Sequence, residues 1–187
     1  MRTDSSAPID VVLEAPASVG LLVAWADEQQ DQQTLQLIGQ ALNAARSAGM
    51  QRLQEEGGWC VRGRAFARDD LVLQAYRHYL AGEHVDLPRP HEHLYVDPRT
   101  RSGDPVHRDV LPTAALTAQL SYGRAMAREL DAGGFDAAVD AKRSPAGWEL
   151  SAVAEHAARQ PRHICTPNVP VSEQIVPTSR WADPRAA

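Results

Sequence analysis

The apolar positions of this chain change period from one stretch to the next, and each change marks an element. "IDVVLEAP" reads as a short strand, Ile9 to Leu13, closed by Pro16, which fixes its own φ and offers no N–H. A helix is expected from about Ser18, because Val19, Leu22, Val23 and Ala26 recur at helical spacing. A second follows in "TLQLIGQALNAARSAGMQRLQ", where Leu35, Ile38, Leu42, Ala45, Met50 and Leu53 repeat the period and Gly57 and Gly58 supply the stop. The pattern then turns to β. "WCVRGRAF" and "DLVLQAYRHYL" are strand candidates, and period two puts Val72, Gln74, Tyr76 and His78 on one face. Residues 81–90 are a loop leading to a third β candidate, "HEHLYV", and "DPRTRSGDP" is expected to be a loop after it. "LPTAALTAQLSYGRAMARELDAGGF" predicts a helix with Pro112 near its start, Leu116, Leu120, Gly123 and Ala127 inward, and Gly133-Gly134 as its stop. "GWEL" is a strand candidate and "SAVAEHAARQ" a helix candidate.

Helices packed on a sheet are the simplest account of this order. From Pro161 the chain is proline-rich and without period, so residues 161–187 read as an extended arm or tail behind a domain of residues 1–160. No internal repeat is present.

Composition narrows the classes. With 187 residues and 43% hydrophobic content the chain can bury one core. No apolar run approaches the ~20 residues that span a bilayer, and "MRTDSSAPID" lacks the apolar stretch of a signal peptide, so a cytoplasmic address is expected. The two cysteines, Cys60 and Cys165, lack metal-site spacing and read as free buried thiols rather than a disulfide. Net charge is −5 and the single lysine is Lys142, which argues against a surface built to track a phosphate backbone. Local patches remain open at Arg62, Arg64 and Arg68, and at Arg99, Arg101 and Arg108. Trp25, Trp59 and Trp148 have apolar neighbours and are expected in the core, leaving Trp181 for a partner.

The chemistry gathers on histidines. Of seven, His91 and His93 stand two apart in a strand candidate and so share a face, about 6.5 to 7 Å from one another. His78 completes a facial site if its strand lies beside theirs. Three neutral imidazoles suit one divalent ion, Zn, Mn, Fe, Ni, Cu or Mg, with positions left for water or a substrate oxygen. Tyr76 shares the face of His78, which makes it a candidate catalytic residue: a substitute nucleophile, a proton donor or an extra ligand. Its bland alternative is packing in the sheet. His84, His107, His156 and His163 have no such spacing and are expected as surface or loop residues.

The order "DVVLEAPASVGLLVAWAD", a long helix, "LVLQAYRHY", "HEHLYV", "ALTAQLSYGRAMARELDAGGF" and "GWEL" resembles the catalytic domain of conjugative relaxases of the TrwC type, histidine-hydrophobe-histidine endonucleases acting on single-stranded DNA. The resemblance runs from about Ile9 to about Val153. Asp10 stands at the family's strand-opening aspartate, Pro16, Ser18 and Val19 match its P-x-S-V pattern, His78 matches its first histidine, and His91 and His93 match its pair. It implies an α+β two-layer sandwich, an antiparallel palm-like sheet covered by helices with the triad on the central strands. It also implies metal ligation by His78, His91 and His93, with Asp10 as the carboxylate that orients a ligand imidazole.

In the family a tyrosine from an N-terminal segment attacks the phosphate, and that segment is expected to be missing here. The family's lysine is replaced by Ala17, its next serine by Gly20, and the S-R after its first histidine by Ala81-Gly82. Two functions are therefore expected. The first is a divergent relaxase-like domain with a three-histidine metal site, without autonomous nicking, and with single-stranded DNA as at most a weak partner. The alternative is a small-molecule metalloenzyme using the open histidine pocket.

Overall fold

A computed structural model describes residues 6–79, 88–138, 149–150 and 169–177. The strand expected at Ile9 is β1 (Ile9–Glu14), followed by α1 (Ala17–Glu28) and α2 (Gln32–Gly57). A short hairpin, β2 (Trp59–Arg62) and β3 (Ala65–Arg68), leads to β4 (Leu71–His78) and β5 (His91–Thr100). After α3 (Leu111–Ala132) come the two-residue strands β6 (Ala137–Ala138) and β7 (Glu149–Leu150), then β8 (Glu173–Ile175). The main sheet is ordered β4-β5-β1-β8. Its β4-β5 and β5-β1 pairs are antiparallel, while β8 runs parallel to β1. The arm expected from Pro161 therefore includes an edge strand of this sheet.

Each face of the sheet has its own use. Ile9, Val11 and Leu13 of β1, with Leu94 and Val96 of β5, are buried against Ile38, Leu42, Ala45 and Leu53 of α2 and Ala115, Ala118, Tyr122 and Met126 of α3. Asp10 and Val12 alternate with them and point to the opposite face. Local chemistry starts and stops these elements as their residue types dictate. Asp31 caps α2, its Oδ1 accepting from Thr34 N at 3.1 Å and its Oδ2 from Thr34 Oγ1 at 2.7 Å. Gln119 of α3 clamps the end of β1: its Oε1 accepts from Glu14 N and its Nε2 donates to Glu14 O, both at 2.9 Å.

Three expectations are corrected. Leu116 and Leu120, placed inward by their period, are 42% and 48% exposed, and α3 instead turns Leu111, Ala114, Ala115, Ala118, Tyr122, Met126 and Leu130 inward. The stripe of small residues wins because it lets α3 approach α2 closely, where a Cβ on Gly49 would meet Tyr122 Cβ at 3.5 Å and Ala118 O at 3.6 Å, and one on Gly57 would meet Leu111 at 3.1 Å. Trp25 is 51% exposed and is not a core residue. Finally, β5 continues through Pro98 to Thr100 where a loop was expected. Pro98 is tolerated because β1 pairs with β5 only as far as Val96, so the missing N–H removes no bond to β1.

Trp59 is half-buried beneath the Arg68 guanidinium, 4.7 Å from its ring centre. Cys60 is a buried free thiol. Trp148, Trp181, Cys165, His84, His156, His163 and the helix candidate from Ser151 lie outside the described residues. No helix among the described residues is long and apolar enough to cross a membrane.

The entry into β5 is close-packed. A Cβ on Gly20 would lie 2.0 Å from the carbonyl oxygen of Pro88, just ahead of β5. Ala15 N donates to Pro90 O in the same region, at 3.0 Å. Gly20→Ala is expected to lower stability by about 1–3 kcal/mol, read as a shift in the urea midpoint, because backbone rather than a mobile side-chain end must move.

Candidate metal centre

Strand pairing assembles the site. β4 and β5 run antiparallel with His78 opposite His91, Arg77 opposite Glu92 and Tyr76 opposite His93. Period two then sends His78, His91, His93 and Tyr76 to the face away from α2 and α3. The imidazole centres are 5.2 Å apart for His78 and His91, 4.8 Å for His78 and His93, and 5.1 Å for His91 and His93. One nitrogen from each ring falls within 4.8 Å of the others. A tetrahedral ion holds ligand nitrogens about 3.4 Å apart at bond lengths near 2.1 Å, a gap that small ring rotations close.

The outer ring nitrogens are fixed by partners. Asp10 Oδ2 accepts from His93 Nδ1 at 2.7 Å, and Arg89 O lies 2.7 Å from His91 Nδ1. Occupying Nδ1 selects the tautomer in which Nε2 carries the lone pair, the form a metal requires. His93 Nε2 is buried and has no hydrogen-bond partner among the described residues. Burying such an acceptor unpaired costs free energy, and a bound ion is what would satisfy it. The donor set and this orphaned nitrogen fit a divalent metal.

Charge and burial shape the centre further. Asp10 and His93 are fully buried, His91 nearly so, and His78 is half-buried at the open side. Burial, then the neighbouring His93, holds the pKa of His78 below its ordinary value, favouring the neutral ligand form. Gln174 of β8 donates from Nε2 to the same Asp10 Oδ2, at 2.9 Å. Asp10 thus ties a histidine of β5 to the C-terminal strand. Tyr76 is 46% exposed, with its hydroxyl donating to Gln74 Oε1 at 3.2 Å and its ring 5.5 Å from that of Tyr95. It stands on the face of the triad rather than inside the sheet's core.

Two contributors escaped the sequence. Gln174 lies in a three-residue strand with no period to announce it. Arg89 acts through its carbonyl, which no side-chain pattern reports. His107, expected as a surface or loop residue, lies in the loop ahead of α3, half-buried, its ring tilted against that of Phe66 with centres 4.4 Å apart.

A second group, Cys60, Asp69 and Asp104, also gathers ligand-type atoms. There Arg62 already supplies the positive charge, 2.8 Å from Asp104 Oδ2 and 3.8 Å from Asp69 Oδ2. Thr100 Oγ1 donates to Asp69 at 2.7 Å, and this bond with the Asp70 N–H brings the Asp69 pKa to about 2. That group is a satisfied ion-pair network.

No protein-family model matches the chain, and no curated protein matches it. Solved structures do. A metal-free structure of the conjugative relaxase TrwC with OriT DNA is 19% identical at a TM-score of 0.58, covering 80% of this chain and 50% of that one. A metal-bound TrwC structure with OriT DNA is 21% identical at a TM-score of 0.56, covering 80% and 52%. TrwC with a 27-mer comprising the recognition hairpin and the cleavage site is 19% identical at 0.55, covering 80% and 52%. The chain spans about half the length of these structures. At such identity the likeness speaks for fold alone: this α+β chain is folded like the matching part of TrwC, in divergent form.

Proposed function

We propose that this chain is a divergent relaxase-like domain in which His78, His91 and His93 hold one divalent metal ion and Asp10 orients His93. The observation that carries the reading is the buried Nε2 of His93, without a hydrogen-bond partner among the described residues and backed by an Nδ1 bond to Asp10. A bound ion would act as a Lewis acid on a phosphate or other substrate oxygen. His78 would bind from the open side, His91 and His93 from the buried side, and Tyr76, opposite His93 and exposed where Tyr95 beside it is buried, is the tyrosine proposed to meet a substrate on that face.

Single-stranded DNA is proposed as a weak partner, since the solved relaxases of this fold are complexed with OriT DNA. Affinity is expected to be low. The chain carries −5, and five of the six arginines of the expected patches have local partners: Arg62 and Arg101 face the carboxylates of Asp104 and Asp70, while Arg68, Arg99 and Arg108 donate to Glu55 O, Gly103 O and Ser172 Oγ. Few remain to release counterions from a strand. The same charge favours the second reading, a small-molecule metalloenzyme. Either activity is proposed to be cytoplasmic.

Metal-replete protein is expected to carry about one divalent ion per chain by elemental analysis. Absence of metal, with no heat on titrating Zn²⁺ or Mn²⁺, sinks the site. On a denaturing gel with mixed single-stranded oligonucleotides and Mn²⁺, no covalent protein-DNA band is expected. Tyr122 and Tyr95 are buried, the Tyr76 hydroxyl is bonded to Gln74, and Tyr79 is paired with Arg77, whose side chain points away from the triad. A shifted band that disappears in Tyr76→Phe would make this chain a nickase and remove the small-molecule reading.

A further inference from the structure

Glu92 stands between two of the triad histidines and points the other way, into the fully buried helix-covered side. Its Oε1 accepts from Arg77 Nε at 2.6 Å, and Arg77 Nη2 donates to Asn43 Oδ1 of α2 at 3.1 Å. Arg77 and Glu92 are direct partners across β4 and β5, flanked on one side by His78 and His91 and on the other by Tyr76 and His93. Glu92 Oε2 has no hydrogen-bond partner among the described residues. An apolar pair would fill this place without stranding an oxygen, so the charges are poorly explained as a device for stability.

We propose that the Arg77–Glu92 ion pair is a register lock that sets His78 against His91, and thereby a positioning device for the triad.

A slip of β4 against β5 by one residue is already forbidden, because it would turn Leu73 and Ala75 out of the core. A slip by two is not. It returns every side chain to its own face, so burial of apolar surface barely opposes it. The 12 residues between His78 and His91 are also too many to fix register as a two-residue turn does. β4 already tolerates an irregularity, a bulge between Leu71 and Leu73. Thr100 Oγ1 to Asp69 and Arg101 N to Asp70 O hold the far ends of the two strands together, but the bulge separates that end from the triad, and on the triad's side of it the charge pair is what distinguishes the slipped states. Moved one way, Glu92 faces Ala75 and Gln74 takes the place of Tyr76 opposite His93. Moved the other way, Arg77 faces Leu94 and His78 faces His93. Both leave a buried carboxylate without its guanidinium, and both separate His78 from His91. The lock's purpose rests on the metal reading above, but its existence is a matter of strand pairing alone.

The test uses the whole chain with Arg77→Met and Glu92→Leu together, which removes both charges and strands neither. In metal-free protein, nuclear Overhauser contacts between His78 and His91 and between Tyr76 and His93 are expected to fall below half their wild-type intensity, with new ones from Gln74 to His93. The melting temperature should stay within a few degrees of wild type. Zn²⁺ should bind at least 10-fold more weakly by calorimetry. A folded double variant with wild-type contacts and unchanged Zn²⁺ affinity overturns the lock. Should that double variant not fold, Arg77→Leu with Glu92→Met gives the same comparison, with the same two outcomes deciding. If wild-type protein binds no Zn²⁺, the metal reading falls while the cross-strand contacts still decide the lock.

Discussion

Replacing His93 with alanine is expected to remove metal binding, by 100-fold or more in affinity, and to cost about 3 kcal/mol of stability even without metal. The two losses have separate causes. The first follows from deleting the proposed ligand whose Nε2 is buried without a partner among the described residues. The second follows from Asp10, fully buried and bonded to His93 Nδ1 at 2.7 Å, which would keep its carboxylate inside the protein with Gln174 as its remaining donor. For a chain of this length that destabilisation lowers the melting temperature by roughly 6–12 °C. His78→Ala gives the contrast. His78 is half-buried at the open side, so its removal is expected to abolish the rise in melting temperature that metal gives wild type while leaving metal-free stability within about 1 kcal/mol. Thermal melts with and without Zn²⁺ on the three proteins check both claims. A metal-induced rise that survives in His78→Ala would strike that residue from the ligand set, and a metal-free His93→Ala as stable as wild type would mean that Asp10 does not depend on its histidine.

The triad was legible because its geometry is local twice over. His91 and His93 share a face by the period of any strand, and the alternation in "LVLQAYRH" put His78 and Tyr76 together before any pairing was known. What alternation cannot supply is register. It left open which residue of β4 meets His91, and the answer depends on Arg77 and Glu92, whose opposite charges at core-facing positions of two neighbouring strands were the available signal and went unread. α3 shows a different limit. Its leucines at 116 and 120 fit a helical period as well as its alanines do, but the facing surface of α2 carries Gly49 and Gly57, and steric fit selected the small stripe. β8 was invisible for a third reason. Three residues carry no period, and Glu173–Ile175 becomes a strand because β1 presents an edge to it. The candidate site thus draws on local pattern for its histidines and on long-range pairing for their arrangement.

Asp10→Asn is expected to weaken metal binding by roughly 10-fold or more with the fold intact. Both polar neighbours of Asp10, His93 Nδ1 and Gln174 Nε2, address the same oxygen, Oδ2, at 2.7 and 2.9 Å. An asparagine that turns its carbonyl to that position accepts both bonds, so shape and hydrogen bonding survive and the charge alone is lost. That loss acts on the metal through His93. A carboxylate on Nδ1–H raises electron density at Nε2 and stabilises the positive charge the ring shares with a bound ion, whereas a neutral amide does so much less. The amide brings a second handicap, because rotated by half a turn it donates to Nδ1 and drives the proton to Nε2, the nitrogen that must ligate. Folding should tolerate the change, since a buried carboxylate costs more to desolvate than an amide. Zn²⁺ calorimetry beside a urea melt separates the effects: weaker binding at an unchanged midpoint is the expected result. Unchanged affinity would make the Asp10–His93 bond a packing contact, and a large fall in the midpoint would place the charge of Asp10 in the stability of β1 and β8 rather than in the metal centre.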